Sequence, residues 1–485
     1  MEYIIAFILL FKILTKENNL IFFKLQTFQS NNLNNNISSI FDTLKKAYIY
    51  TKIKIGEPEH QIECKLSMHT PHFFMLYTEE KTNEKNSNKK YDINKSITFK
   101  NVSCLNQLYV QTNKDIHAKE KFIMNIYDIN TKSNNEIIIN DLDFVLGVKY
   151  HKKENYTETY YLTIGLQTFT SNQFIQRNKF NFINNLKSLN IIDNYIWSIY
   201  YNTEKLKEDE LNSLDNLLDI EQTLLIGDFP HEYKPHEFSK EQLYYAYTNT
   251  FLWSFKFKSI IIQESTIKHP LHNSNCQINF NEFLIYAPYN YVTYVKNYFF
   301  DFFISRNICH IYLDEDADLI YCDKSKDFNI NHLKEFPKLY FEHNEFNYTF
   351  EFSYKDLFAA IDNKYIFLIG NMINDVDDWF LGRIFFRKYQ FVFNTDSKAI
   401  GFYNPNIKCI KSIKNESKND TIEIIYNGGS NCKHLIFVGV LCSLLIISVI
   451  VIFVFVFKNQ RNKKRKRANE LDDEYDYVSD NKNIN

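Results

Sequence analysis

Short apolar and aromatic runs alternate with polar turns along most of the chain, and helical spacing of apolar residues is uncommon. β-branched and aromatic runs of this kind are typical of strands, so the pattern between about 45 and 405 predicts a mostly β domain. The clearest runs are 47–55, 136–148, 197–201, 250–262 and 389–402. Two stretches, 171–189 and 288–305, are expected to be helical.

The two ends of the chain contain apolar segments of different length. Residues 4–14 form an apolar run interrupted by Lys12, which has the length of a signal-peptide core and is too short to span a bilayer. We interpret 1–20 as a signal peptide, with an uncleaved anchor or a plain apolar leader as the alternative. Residues 435–457 carry no charge and are long enough to cover a hydrocarbon core of about 30 Å, which predicts a transmembrane helix.

A cluster of Lys and Arg residues at 458–467 directly follows this apolar segment. The positive-inside rule therefore places the tail, 458–485, in the cytosol and everything before 435 in the lumen or outside the cell. A nuclear-localisation or nucleic-acid patch is the alternative interpretation of such a cluster, but its position against the predicted span favours topology. We expect a type I single-pass membrane protein of the secretory pathway or the cell surface.

Composition changes this picture little. The chain has 485 residues and a formal net charge of −2, which gives no reason to expect a nucleic-acid partner. Its 34 Tyr and 44 Phe supply ample apolar surface for a folded core. The polar, Asn-rich segment 21–44 is interpreted as a leader or linker, and 406–434 as a stalk to the membrane.

All of the eight cysteines except Cys442 lie on the predicted lumenal side. An oxidising compartment permits disulfides, and the pairs closest in sequence are Cys309 with Cys322 and Cys409 with Cys432. The odd lumenal number leaves at least one thiol free or paired between chains. No spacing resembles a zinc site, and we expect neither a metal nor a cofactor.

The order of several motifs resembles the pepsin-like aspartic proteases. Residues 379–382 read Trp-Phe-Leu-Gly, 385–389 read Phe-Phe-Arg-Lys-Tyr and 391–393 read Phe-Val-Phe, similar to the elements that close the second lobe of that family. Near the front, 48–58 is similar to the family's first hairpin, and 224–228 resembles the Leu-x-Ile-Gly-Gly turn. The ordered motifs span about three quarters of the chain.

The resemblance implies a bilobal, mostly β fold with one lobe at 45–240 and the other at 241–405. A pepsin-like enzyme needs one carboxylate from each lobe, because the two share a proton and activate water together. By motif order, the first acid position falls on Ser67 and the second on Asn279. Neither side chain ionises at a working pH, so the catalytic dyad cannot form.

The residues that follow these two positions also depart from the family's Asp-Thr/Ser-Gly turns. They are Met68 and His69 in the first turn, and Phe280 and Asn281 in the second. We expect Met68 and Phe280 to pack where the lobes meet, because large apolar side chains would otherwise face water. All four residues are candidates for the wall of a peptide-binding cleft.

Tyr127 and Glu282 complete the cleft candidates. Tyr127 lies where the family's flap tyrosine is expected, and Glu282 is three residues beyond Asn279. We interpret Glu282 as a solvated side chain rather than as a displaced catalytic acid. The sequence thus predicts a membrane-anchored, inactive pepsin-like homologue that binds a peptide or protein partner. The alternative is an active aspartic-type endopeptidase with non-standard catalytic residues.

Overall fold

A computed structural model describes the central part of the chain. The described residues are 19–27, 36–68, 70–78, 96–105, 114–128, 133–149, 162–167, 180–203, 206, 211–248, 253–262, 268–269, 276–313, 317–372 and 378–407. They all belong to one compact unit, 1–411. The predicted transmembrane segment 435–457, the tail, most of the stalk and most of the signal peptide lie outside the described residues.

The described residues are mostly β, which confirms the predicted fold class. The strands are β1 Asn19–Thr27, β2 Ile49–Ile55, β3 His60–Ser67, β4 Phe74–Thr78, β5 Lys100–Leu105, β6 Lys114–Asp128, β7 Ser133–Lys149, β8 Leu162–Gly165, β9 Ile196–Asn202, β10 Glu221–Ile226, β11 Leu243–Tyr247, β12 Ser254–Phe255, β13 Ser259–Ile262, β14 Lys268–His269, β15 Cys276–Ile278, β16 Ile285–Ala287, β17 Cys309–Leu313, β18 Ala317–Asp323, β19 Leu339–His343, β20 Tyr348–Phe352, β21 Phe358–Ile361, β22 Lys364–Phe367, β23 Ile369–Met372, β24 Trp379–Leu381, β25 Phe391–Asn394 and β26 Ala399–Tyr403.

Helices are short and connect the strands. They are α1 Ile37–Lys46, α2 Phe182–Ser188, α3 Leu214–Leu218, α4 Pro230–Tyr233, α5 Tyr289–Val295, α6 Asp301–Ser305, α7 Ile330–Lys334, α8 Tyr354–Leu357 and α9 Arg383–Phe386, with a π-helical turn at Lys296–Phe300 and a 3-10 turn at Lys240–Gln242. The helix predicted at 288–305 is confirmed by α5, the π turn and α6. Across the described ranges, no helix is long and apolar enough to span a bilayer.

The described strands form sheets of 13, nine and four strands. The largest runs in the order β11-β26-β25-β9-β10-β1-β2-β3-β8-β4-β7-β6-β5, so the last two described strands pair with strands that come much earlier in the sequence. Phe393 of β25 faces Trp197 of β9, and their rings stack with centroids 4.1 Å apart. This contact joins the two halves through one continuous sheet and one aromatic core.

Both halves contain the same strand arrangement. In the first half, β3 pairs with β8 and β4 with β7 in parallel, while β4 and β8 are antiparallel. In the second half, β15 pairs with β24 and β16 with β23 in parallel, while β16 and β24 are antiparallel. The described fold is therefore an internal duplication, in which β3 corresponds to β15 and β8 to β24.

The interpretation of 21–44 as a linker is wrong. β1 occupies the middle of the largest sheet, where Ile21 faces Ile226 and Leu25 faces Gln222 of β10. Its alternate residues Ile21, Phe23 and Leu25 are buried, as the period of a strand requires. Helix α1 follows, and Phe41 stacks on Tyr312 at 4.8 Å.

The Asn-rich composition of this segment obscures the strand period in β1 and the helical period in α1. In α1, the buried side chains Ile40, Phe41 and Leu44 have helical spacing, and the side chain of Asn36 caps the helix by accepting the N–H of Ser38. The expected signal-peptide boundary at residue 20 also falls inside β1.

We expect deletion of 1–27 to prevent folding, because it removes β1 and leaves the edges of β10 and β2 unpaired. Deletion of 1–18 keeps β1 and is the matched control. Cooperative thermal unfolding of the purified proteins measures the difference. Equal melting temperatures for the two deletions would show that β1 is dispensable.

His343 should make the stability depend on pH. Its side chain is buried against the rings of Phe255 and Phe346, and its Nδ1 accepts the N–H of Phe346 at 3.2 Å. Burial lowers its pKa from 6.5 to about 4. The unfolded chain therefore binds the proton more tightly, and stability should fall as the pH decreases from 6.5 towards 4.

The loss over this window should be roughly 2–3 kcal/mol, since each pKa unit corresponds to about 1.4 kcal/mol. His343→Asn keeps an acceptor near Phe346 and removes the titration, so its unfolding free energy should change less over the same pH window. Denaturant unfolding at several pH values measures both curves, and parallel curves would contradict this role.

Candidate functional site

The two turns predicted from the motif order occupy equivalent places in the duplicated fold. Ser67 is the last residue of β3 and lies opposite Gly165 of β8. Its backbone carbonyl accepts the N–H of Leu166 at 2.8 Å. Asn279 follows β15 directly, and its N–H donates to the carbonyl of Leu381 at 3.1 Å. The structure thus places Ser67 and Asn279 at corresponding positions beside β8 and β24.

A glycine stands next to each turn because two backbones pass too closely for a Cβ atom. A Cβ at Gly165 would lie 2.6 Å from the backbone nitrogen of His72 and closer still to the carbonyl oxygen of Thr70. A Cβ at Gly382 would lie 2.8 Å from the carbonyl oxygen of Glu282. Only glycine allows these contacts, since real Cβ atoms do not approach backbone atoms so closely.

A short sequence repeat marks the same two places and was missed in the sequence analysis. Residues 64–68 read Cys-Lys-Leu-Ser-Met, and residues 276–280 read Cys-Gln-Ile-Asn-Phe. Each has a cysteine three residues before the polar position and a large apolar residue after it. Comparing the two halves of the chain with each other would have found this signal.

The polar side chains at the two positions are uncharged. Asn279 is buried, and its Oδ1 accepts the N–H of Asn281 at 3.1 Å while its carbonyl accepts the N–H of Glu282. Ser67 is half-buried at the end of its strand. An amide and a hydroxyl cannot share and transfer the proton that two carboxylates would.

The cysteines of the repeat offer no replacement nucleophile. Cys64 and Cys276 are fully buried, and burial raises the pKa of both thiols. The thiolate is the nucleophilic form, so these side chains remain unreactive thiols at neutral pH. They pack as small apolar residues within the core.

Met68 and Phe280 both lie inside the core. Their side chains are 3% and 2% exposed, so neither faces water at the turns. The ring of Phe280 lies 4.6 Å from Phe386 and 5.7 Å from Phe393. The second turn is therefore anchored in the aromatic cluster that joins the two halves.

Trp253 links the first turn to the second. Its indole Nε1 donates to the carbonyl of Leu166 at 2.7 Å, in the first half. Its own carbonyl accepts the N–H of Ile278 at 2.9 Å, immediately before Asn279. One buried tryptophan thus fixes the spacing of the strands that carry both turns.

Glu282 lies beside a buried cation. Its carbonyl accepts the N–H of Arg383 at 3.0 Å. Burial lowers the pKa of Arg383 to about 10, while the charge of Glu282 acts in the opposite direction. Glu282 is half-buried, and its interpretation as a solvated side chain stays a prediction.

The structure does not group Tyr127 with these turns. Tyr127 pairs with Leu20 of β1 and with Asn134 of β7. Its ring packs edge-to-face against Tyr233 with centroids 5.1 Å apart. The backbone of Tyr127 is thus paired on both sides, with β1 and with β7, and its assignment as a flap residue stays a prediction.

The remaining candidates divide between described and undescribed residues. Cys309 and Cys322 form a disulfide across β17 and β18. His69, Cys409 and Cys432 lie outside the described residues, as does the predicted bilayer span. Within the described ranges, no group of three His, Cys, Asp or Glu side chains is arranged to hold a metal ion.

Comparison with known proteins gives no further assignment. The chain matches no protein-family model, and a search of curated proteins finds no match either.

Gly382→Ala should lower the free energy of unfolding by roughly 3 kcal/mol or more, because the new Cβ meets fixed backbone atoms. Gly370→Ala is the matched control. Its Cβ first meets Leu319 Cδ2 at 2.7 Å, which is a side-chain atom that can move. Chemical denaturation measures both changes, and equal losses would argue against the close approach at Gly382.

Proposed function

We propose that this chain is a membrane-anchored, pepsin-like aspartic protease homologue that has lost catalysis and binds a peptide or protein partner. The observation that carries the proposal is the duplicated arrangement in which Ser67 and Asn279 occupy equivalent turns. In a pepsin-like fold, these are the positions that present the two carboxylates. Here the polar groups are a hydroxyl and an amide.

Three features support the pepsin-like part of this proposal. Each half pairs its strands in the same parallel and antiparallel order. Each turn has its glycine at a backbone crossing, at Gly165 and Gly382. Trp253 hydrogen-bonds to both halves at the turns.

The absence of both carboxylates supports the inactive part of this proposal. Acid–base catalysis needs a group that can take a proton from water within hydrogen-bonding distance of the substrate. Neither Ser67 nor Asn279 has such a group at a physiological pH. The proposed cleft between the lobes would bind an extended segment through main-chain hydrogen bonds and side-chain pockets.

Anchoring to the membrane is proposed from the sequence. The uncharged segment 435–457 and the basic cluster after it favour a type I orientation with the binding domain in the lumen or outside the cell.

We expect the full chain in detergent to cleave no member of a degenerate peptide library between pH 4 and pH 7. A Glu282→Ala variant is assayed beside it, because Glu282 is the carboxylate nearest in sequence to Asn279. Peptide cleavage that is abolished by Glu282→Ala would contradict the proposal that the protein is inactive. It would instead favour an endopeptidase with a displaced acid.

Binding is measured on the same library by retention on the immobilised chain, followed by anisotropy titration of a retained peptide. Asn281→Arg places a bulky cation at the second turn and should weaken binding at least tenfold, which is about 1.4 kcal/mol. Asn344→Arg is the matched control, since Asn344 is exposed in the β19–β20 hairpin. Equal affinities in both variants would place peptide binding elsewhere.

A further inference from the structure

A small cavity lies in the core next to α9. Its polar lining is formed by Tyr201, Gln222, Arg383 and Arg387, and three apolar side chains complete the wall. Its free volume of about 10 Å³ is room for one particle of the size of a water molecule. Tyr201 and Arg387 also line a neighbouring cavity of about 500 Å³.

Each of the four polar residues presents one buried atom that has no hydrogen-bond partner among the described residues. These atoms are Tyr201 Oη, Gln222 Oε1, Arg383 Nε and Arg387 Nη1. Three of the four are donors. Leaving a buried donor unsatisfied destabilises the fold, so a shared occupant that accepts from these donors would stabilise it.

The two guanidinium groups make their hydrogen bonds to uncharged groups. Arg383 donates to Thr27 Oγ1 at 3.1 Å and to the carbonyl of Ala47, and Arg387 donates to the carbonyl of Asp356 at 2.8 Å. Burial lowers the pKa of each arginine to about 10, which still leaves both positively charged at neutral pH. Arg383 begins α9 and Arg387 is the residue that follows its last turn, four positions later, a spacing at which like charges repel.

Carboxylates near this place offset only part of that charge. The carboxylate of Asp356 accepts from Lys388 Nζ at 2.8 Å and from the N–H of Ser353 at 2.8 Å. The charge of Asp356 also acts on Arg387, and that of Glu282 acts on Arg383. With Lys388 counted, three cations face these two carboxylates, so one positive charge is in excess. A water molecule would satisfy the hydrogen bonds but would leave the excess positive charge buried, which is costly.

We propose that this cavity binds one small monovalent anion, with chloride as its physiological occupant, held by Tyr201 Oη, Arg383 Nε and Arg387 Nη1. The cavity size excludes an organic carboxylate or a phosphate. This proposal does not rest on the proposed function, since none of these side chains belongs to the two turns.

Gln222 is compatible with an anion if its amide turns. At present, Nε2 donates to Thr27 Oγ1 at 3.3 Å and to the carbonyl of Ile220 at 3.5 Å, both long bonds. The opposite orientation directs the amide N–H groups towards the cavity and lets the Thr27 hydroxyl donate to the amide oxygen. The anion would then have a fourth donor.

The experiment is thermal unfolding of the full chain in detergent, in sodium chloride and in sodium gluconate at equal ionic strength. Gluconate is too large for the cavity. A bound anion stabilises by mass action, so the melting temperature should rise by about 1–3 °C for each tenfold increase in chloride and stay constant in gluconate. Equal behaviour in the two salts would overturn the proposal and favour a water molecule.

Tyr201→Phe removes one donor and keeps the ring, and it should reduce the chloride-dependent shift by at least half. Tyr298→Phe is the matched control, because Tyr298 is 46% exposed and should retain the full shift. A second measurement needs no variant: crystals grown with sodium bromide should show an anomalous peak between Arg383 and Arg387. A chloride shift unchanged in Tyr201→Phe, or no bromide peak there, would contradict the proposal.

Discussion

Two backbone crossings without room for a Cβ atom fix the relation between the strands that carry the turns. At Gly165 the chain passes the backbone of Thr70 and His72, and at Gly382 it passes that of Glu282 and Leu284. Because no side chain separates the strands there, their spacing is set by main-chain contact. This constraint fixes the backbone geometry of the turns at Ser67 and Asn279, independently of the side chains at those positions.

The sequence predicted what periodic patterns and short motifs encode. The mostly β class and the helical region at 288–305 are confirmed, because their apolar periods are long enough to stand out from the composition. The strand at Asn19–Thr27 was missed since an Asn-rich background concealed a short alternation. A motif order also cannot reveal that an additional strand, β1, pairs with the hairpin that carries Tyr127.

Buried charge at α9 was equally beyond prediction. Arg383 and Arg387 are visible in the sequence, but nothing in their spacing shows that both guanidinium groups are desolvated. Burial of these groups depends on Tyr201 and Gln222, which lie more than a hundred residues earlier in the chain. Two buried cations thus lie in the core close to the second turn, while the side chains of Ser67 and Asn279 are uncharged.

The sheet order has a consequence for how the chain folds during synthesis. β1 pairs with β10 across about two hundred residues of sequence, and a similar sequence separation lies between β9 and its partner β25. Such distant pairings make folding slow, because loop closure precedes any gain from the contacts. Until β25 emerges, the open side of β9 is an unpaired edge able to join another nascent chain. The same continuous sheet that unites the two halves therefore makes the growing polypeptide vulnerable to self-association.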